Sequence, residues 1–151
     1  LLIVLPLLLI VGCSKPINEN TLIDKDGLKY HPETKELYSG EVFQNRMGGE
    51  KEFEGSYKDG KKDGLWTVWY ENGQKKEEIT FKNGKRDGLE TEWWSNGQKI
   101  NEMTYKDGKE WDGKWTSWSD DENKLKVYEE TYKDGELISQ KDFNPDGSVM
   151  E

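Results

Sequence analysis

The phrase Tyr57-Lys58-Asp59-Gly60 returns as Phe81-Lys82-Asn83-Gly84, Tyr105-Lys106-Asp107-Gly108 and Tyr132-Lys133-Asp134-Gly135, at steps of 24, 24 and 27 residues. A unit this short cannot bury an apolar face alone, so it must stack on copies of itself. Two further phrases keep the same rhythm. Asp63-Gly64-Leu65 returns as Asp87-Gly88-Leu89 and Asp112-Gly113-Lys114, with a worn copy at Ser39-Gly40-Glu41. Glu71-Asn72-Gly73-Gln74-Lys75 returns as Ser95-Asn96-Gly97-Gln98-Lys99 and degrades to Asp120-Asp121-Glu122-Asn123-Lys124 within the longer third step. About four units therefore occupy residues 36–143.

Asn-Gly and Asp-Gly pairs supply the positive φ that tight hairpins need, and the runs between them have strand length. Each unit reads as two strands and two turns. Alternation places Leu65, Thr67 and Trp69 on one side of a strand, followed by Leu89, Thr91, Trp93 and then Lys114, Thr116, Trp118. Return strands are expected to add Phe53, Gly55, Tyr57; Glu77, Ile79, Phe81; and Asn101, Met103, Tyr105 to that side. This gives an aromatic spine of Tyr57, Trp69, Phe81, Trp93, Tyr105, Trp118 and Tyr132 on one face. The expected fold is all-β: an elongated, twisted antiparallel β-meander of tandem hairpins in a single sheet.

Composition agrees. The chain has seven Trp, seven Tyr and four Phe, no Ala, and 35% charged residues. Much of its aliphatic content lies in the first thirteen residues, so a thick core of packed helices is excluded. The net charge of −9 argues against a phosphate-tracking nucleic-acid binder.

Leu1–Val11 is uncharged and apolar, too short for the ~20 residues of a membrane span, and reads as part of a secretory signal. Ile10-Val11-Gly12-Cys13 resembles the lipobox of bacterial lipoproteins, which implies cleavage before Cys13 and lipidation of its thiol. No Met and no basic region precede Leu1, so this signal, residues 1–12, reads as truncated at its start. A lone Cys excludes an intrachain disulfide. Residues 13–25 read as the lipidated Cys and a flexible tether, and 26–151 as the repeat domain. Ser14, in place of the Asp that resembles an inner-membrane retention signal, points to the outer membrane or cell surface.

The pattern Tyr-Lys-Asp-Gly-Lys-Lys-Asp-Gly-Leu-Trp…Tyr-Glu-Asn-Gly-Gln-Lys-Lys over 57–76 resembles the bacterial variant of the MORN repeat (membrane occupation and recognition nexus). Asp26–Tyr30 and Tyr38–Val42 resemble the opening of such arrays, and Phe143–Val149 their end. The resemblance implies a repeat protein without shared catalytic residues. Some relatives carry the label of antitoxins, others that of lipoproteins. The third copy departs from the pattern around Glu110-Trp111 and Asp120–Asn123.

No catalytic constellation is apparent. His31 is the single His and reads as a turn residue, and the single Cys reads as the lipid site. Zinc-type spacing is missing, and Asp120-Asp121-Glu122-Asn123 lacks the spacing of a calcium loop, so it reads as a solvated turn. Neither a metal nor a cofactor is expected. Paired carboxylates such as Glu90 and Glu92 show no apolar setting that would raise a pKa. The side opposite the expected spine carries Trp66, Tyr70, Glu90, Glu92, Trp94 and Trp115. These residues either form a partner-binding face or pair across strands as a second apolar layer. The acidic charge there favours a basic protein partner over anionic lipid. The leading reading is a non-enzymatic, lipid-anchored protein-interaction module, with antitoxin- or immunity-like neutralisation as one version. The alternative is an envelope-structural or glycan-binding repeat protein.

Overall fold

A computed structural model describes residues 15–119 and 125–150. The strands are β1 (Ile17–Asn18), β2 (Ile23–Lys25), β3 (Leu28–Tyr30), β4 (Gly40–Asn45), β5 (Lys51–Lys58), β6 (Lys61–Lys62), β7 (Gly64–Trp69), β8 (Lys75–Lys82), β9 (Lys85–Trp93), β10 (Lys99–Lys106), β11 (Lys109–Trp118), β12 (Lys126–Lys133) and β13 (Glu136–Asp142). One eleven-stranded sheet runs in the order β1-β4-β5-β7-β8-β9-β10-β11-β12-β13, with β6 beside β5. From β4 onward every pairing is antiparallel, so the expected meander of hairpins is present.

Two features lie outside the expected single antiparallel sheet. β2 and β3 form a separate hairpin, and β1 pairs in parallel with β4. The segment read as a tether is therefore part of the fold from Ile17. Leu22, after a 3-10 turn at Glu19–Thr21, joins a buried cluster with Tyr38, Val42, Tyr57 and Trp66, against which Ile17, Phe53 and Phe81 pack. Tyr57 Oη donates to Glu19 Oε1 at 3.1 Å, and Lys29 Nζ pairs with the same oxygen at 2.7 Å. Two aliphatic side chains suffice to dock this otherwise polar run on the first repeat.

Both turn phrases have a mechanical role. At Asp26-Gly27, Asp59-Gly60, Asn83-Gly84, Asp107-Gly108 and Asp134-Gly135 both residues have positive φ, the conformation of two-residue hairpins that follow the strand twist. Each later turn is held by the copy before it. Asp63 Oδ2 accepts from Asn83 N at 3.3 Å, Asp87 Oδ2 from Asp107 N at 3.2 Å, and Asp112 Oδ1 from Asp134 N at 2.9 Å. In the worn copy, Ser39 Oγ does the same for Asp59 N at 2.8 Å. A backbone bond accompanies each, from Gly60, Gly84, Gly108 and Gly135 to the carbonyls of Tyr38, Lys62, Arg86 and Trp111. The Asp-Gly-Leu phrase thus recurs because its carboxylate locks the next hairpin in place.

The register corrects the expected spine. Directly opposed residues face the same side of a sheet. Phe53 opposes Val68, Trp66 opposes Ile79, Ile79 opposes Glu90, Glu90 opposes Met103, Met103 opposes Gly113 and Gly113 opposes Tyr132. Hence Tyr57, Phe81, Tyr105 and Tyr132 share a side with Trp66, whereas Trp69, Trp93 and Trp118 lie on the other side with Leu65. Alternation within each strand holds. The phase between strands is one residue off the expectation, and a one-residue slip exchanges the faces. The sequence contains no record of that phase, which the turns and the bulges between Ile79 and Phe81 and between Val68 and Trp69 set.

Burial follows the corrected faces. Trp66 is 4% exposed and its neighbour Leu65 54%. Around Trp66 stand Phe53, Tyr57 and Phe81, at ring-centroid distances of 5.6, 5.2 and 6.3 Å. Lys62 Nζ lies 4.1 Å from the ring centre. A side chain at Gly55 would overlap the Trp66 indole. Trp66→Ala should therefore cost about 3–5 kcal/mol in denaturant unfolding, and Gly55→Ala should also destabilise. Leu65→Ser should change stability by no more than about 0.5 kcal/mol. Equal losses at positions 65 and 66 would refute the face assignment.

Candidate functional site

The six residues expected on one face do share it where the register reports them. Trp66, Glu90, Glu92 and Trp115 all project to the Trp66 side. Their exposure differs from the expectation of an open binding surface. Trp66 and Glu90 are buried, while Tyr70, Glu92, Trp94 and Trp115 are half-buried. Tyr70 Oη donates to the Trp93 carbonyl at 2.8 Å, and Tyr70 N and Trp94 N close the turns to Gln74 and Gln98. In the first repeats this side is the apolar core, and Trp66 is packed within it. Cys13 and Asp120–Asn123 lie outside the described residues. His31 serves a turn: its Nδ1 accepts from Glu33 N at 3.2 Å, and its ring stacks on Tyr38 at 6.1 Å.

What the sequence reading missed is the centre of that face. Glu77 on β8, with Glu90 and Glu92 on β9, bring carboxylate oxygens within 4.8 Å of one another. Glu77 directly opposes Glu92 across the strands, a like-charge placement that weakens a sheet unless it is compensated. Glu90 is 1% exposed and stands between Ile79 and Met103 on its two neighbouring strands. Arg86 Nη1 is 3.1 Å from Glu90 Oε2, and Asn101 Nδ2 donates to Glu92 Oε2 at 2.7 Å.

The apolar setting judged absent for these carboxylates is present. Burial raises the Glu90 pKa from 4.5 to about 7 against the lowering effect of Arg86, and Glu77, Glu92 and Glu110 push the same way as burial. Glu77 is raised too, by burial first and by Glu92 next. The signal was in the repeat alignment. Glu90 stands where the neighbouring copies have Trp66 and Trp115, Glu92 where the first has Val68, and Glu77 and Asn101 where it has Phe53. With the strand phase misassigned, these read as surface positions.

The Leu65 face is built differently. Leu65 and Leu89 are 54% and 49% exposed, one repeat apart, beside the buried Thr67 and Thr91. Each repeat adds a Lys–Glu pair three residues apart: Lys51–Glu54 at 2.6 Å, Lys75–Glu78 at 2.5 Å, Lys99–Glu102 at 2.5 Å and Lys126–Glu129 at 2.8 Å. Three of these ammonium groups lie over the displaced Trp row, Lys51 on Trp69, Lys75 on Trp93 and Lys126 on Trp118, at 4.9, 6.0 and 5.8 Å. A groove of about 340 Å³ runs past Leu89, Ile100, Thr104, Thr116 and Trp118.

Glu90 yields a pH prediction. The unfolded chain ionises this group near 4.5, whereas the folded one holds the proton to about 7. Stability should therefore be unaffected by Glu90 below 4.5, fall as pH rises from 4.5 to about 7, and stay reduced above that. Glu90→Gln should melt higher than wild type above neutrality and like wild type in acid. Parallel melting curves at all pH values would refute the assignment.

Residues 62–83 and 86–107, which span the β6–β10 hairpins, each match the family model of the MORN repeat variant. No curated protein and no solved structure matches the chain. Repeats of this kind generally serve as protein- or membrane-interaction modules. The chain carries MORN-type repeats at its centre, in the hairpins that hold both the carboxylate cluster and the Leu65–Leu89 face.

Proposed function

We propose that this chain is a non-enzymatic, lipid-anchored interaction module whose partner is a protein that docks on the Leu65 face. Antitoxin- or immunity-like neutralisation of that partner is one form of the role. The observation that carries the reading is the repetition of exposed Leu65 and Leu89 at one 24-residue step, on a sheet face next to an apolar groove. Regularly spaced apolar side chains on a charged protein mark a docking surface better than scattered ones do. The opposite face of the first repeats is already covered by Leu22 and Tyr38.

Glycan binding is the second reading, and the Trp row gives it a basis. Lys51, Lys75 and Lys126 lie over those rings, which leaves less bare indole for a sugar to stack on. That favours a protein partner. Among the described residues no helix is long and apolar enough to cross a membrane, so the anchoring half of the proposal rests on the lipobox-like run at Ile10–Cys13.

Two experiments test the halves separately. Immobilised protein should capture a specific partner from envelope extract. Leu65→Asp with Leu89→Asp should weaken that capture by about tenfold or more, as expected for buried interface anchors, with unchanged melting. Undiminished capture by the double variant would remove this face from the proposal. Wild type should fractionate with membranes and Cys13→Ser should not; a wild type that stays in the supernatant would overturn the anchor.

A further inference from the structure

The carboxylate cluster on the Trp66 face is independent of the docking proposal. Three acidic side chains converge there from two neighbouring strands, where Arg86 pairs with Glu90 and the charges of Lys62 and Lys76 reach Glu77. The cluster is also underbonded. Glu90, 1% exposed, has only the Arg86 guanidinium beside its Oε2, at 3.1 Å and outside hydrogen-bond geometry. Asn101 on β10 is 3% exposed, uses Nδ2 on Glu92, and leaves the Oδ1 of the same amide buried without a partner. Buried polar atoms are nearly always satisfied, so the unpartnered Asn101 Oδ1 beside three carboxylates suits a positive group seated among them.

The repeat places this deviation where it is most costly. Positions filled by Phe53, Trp66 and Val68 in one copy carry Glu77, Glu90 and Glu92 in the next, and Asn101 follows Glu77 one copy later. A core rule broken at several mutually contacting positions marks function more than drift. All the donors are oxygens, which suits a hard divalent ion. Oxygens on opposite sides of calcium stand about 4.6–5.2 Å apart, and those on magnesium about 4.0–4.2 Å. The three carboxylate oxygens lie within 4.8 Å of one another, close enough to converge on one calcium ion.

We propose that Glu77, Glu90, Glu92 and the side-chain carbonyl of Asn101 form a binding site for a divalent, oxygen-preferring cation, calcium in the first instance. The ion joins β8, β9 and β10 through one centre.

Calorimetric titration of the full chain with calcium chloride, buffered above neutrality, tests this. Wild type should bind one ion saturably and melt higher with it, and magnesium chloride should compete more weakly. Glu90→Gln keeps the shape of the side chain while removing a buried charge, so it should fold and bind about 10–100-fold more weakly, the loss typical of perturbed metal sites. Glu92→Gln, at a half-buried position, should behave likewise. Absence of saturable binding by the wild type would overturn the proposal. So would wild-type affinity in both variants, which would place the ion among the other surface carboxylates. A protein whose melting responds to pH but not to calcium would show that the cluster binds a proton only, and that too would overturn it.

Discussion

The contact between Trp66 and Gly55 fixes the faces of β5 and β7, on which the rest of the sheet is built. The indole fills the space over Gly55 that any side chain would occupy, and Phe53, Tyr57 and Phe81 surround it. One residue of slip in β7 would carry this ring to the other face and bring Leu65 inward. The turn locks protect against such a slip. A carboxylate from one copy holds the backbone of the next copy's hairpin, so register passes along the array by nearest-neighbour contacts alone.

That mode of construction makes the two faces unequal. The Trp66 face begins as an apolar core, closed at its start by the segment around Leu22, and turns polar at the second repeat. The Leu65 face keeps one character over the first two copies, with small Thr residues flanked by Leu and by Trp rings under Lys–Glu pairs, and Lys114 replaces the Leu in the third. A pattern repeated over adjacent copies suits a surface that meets an extended partner. A local departure confined to one repeat suits a single site. The protein therefore separates a distributed surface from a point-like one on opposite sides of one sheet.

The chemistry at Glu90 follows from where the repeat placed it, not from the residue itself. Glu41, Glu50 and Glu71 are exposed and belong to the same solvated population. Glu90 shares their side chain, yet Ile79 and Met103 flank it, and its ionisation moves to about 7. Desolvation disfavours the charged form, and nearby Glu77 and Glu92 add to that effect. Arg86 opposes both without cancelling them.

The residues by themselves determined the repeat length, the strands, the turns and the alternation within each strand. Those depend on local physics: Asp-Gly and Asn-Gly pairs that accept positive φ, and side chains that alternate every second residue. Trp66, Glu90, Glu92 and Trp115 were placed on a common side for that reason. Only the tertiary structure decided which strands' faces coincide, because hairpin register depends on bulges and cross-strand packing that no single strand encodes. The Trp69–Trp93–Trp118 row, expected in a spine with Tyr57 and Tyr105, therefore lies on the opposite side, and the cluster of Glu77, Glu90, Glu92 and Asn101 emerges only once the strands are aligned.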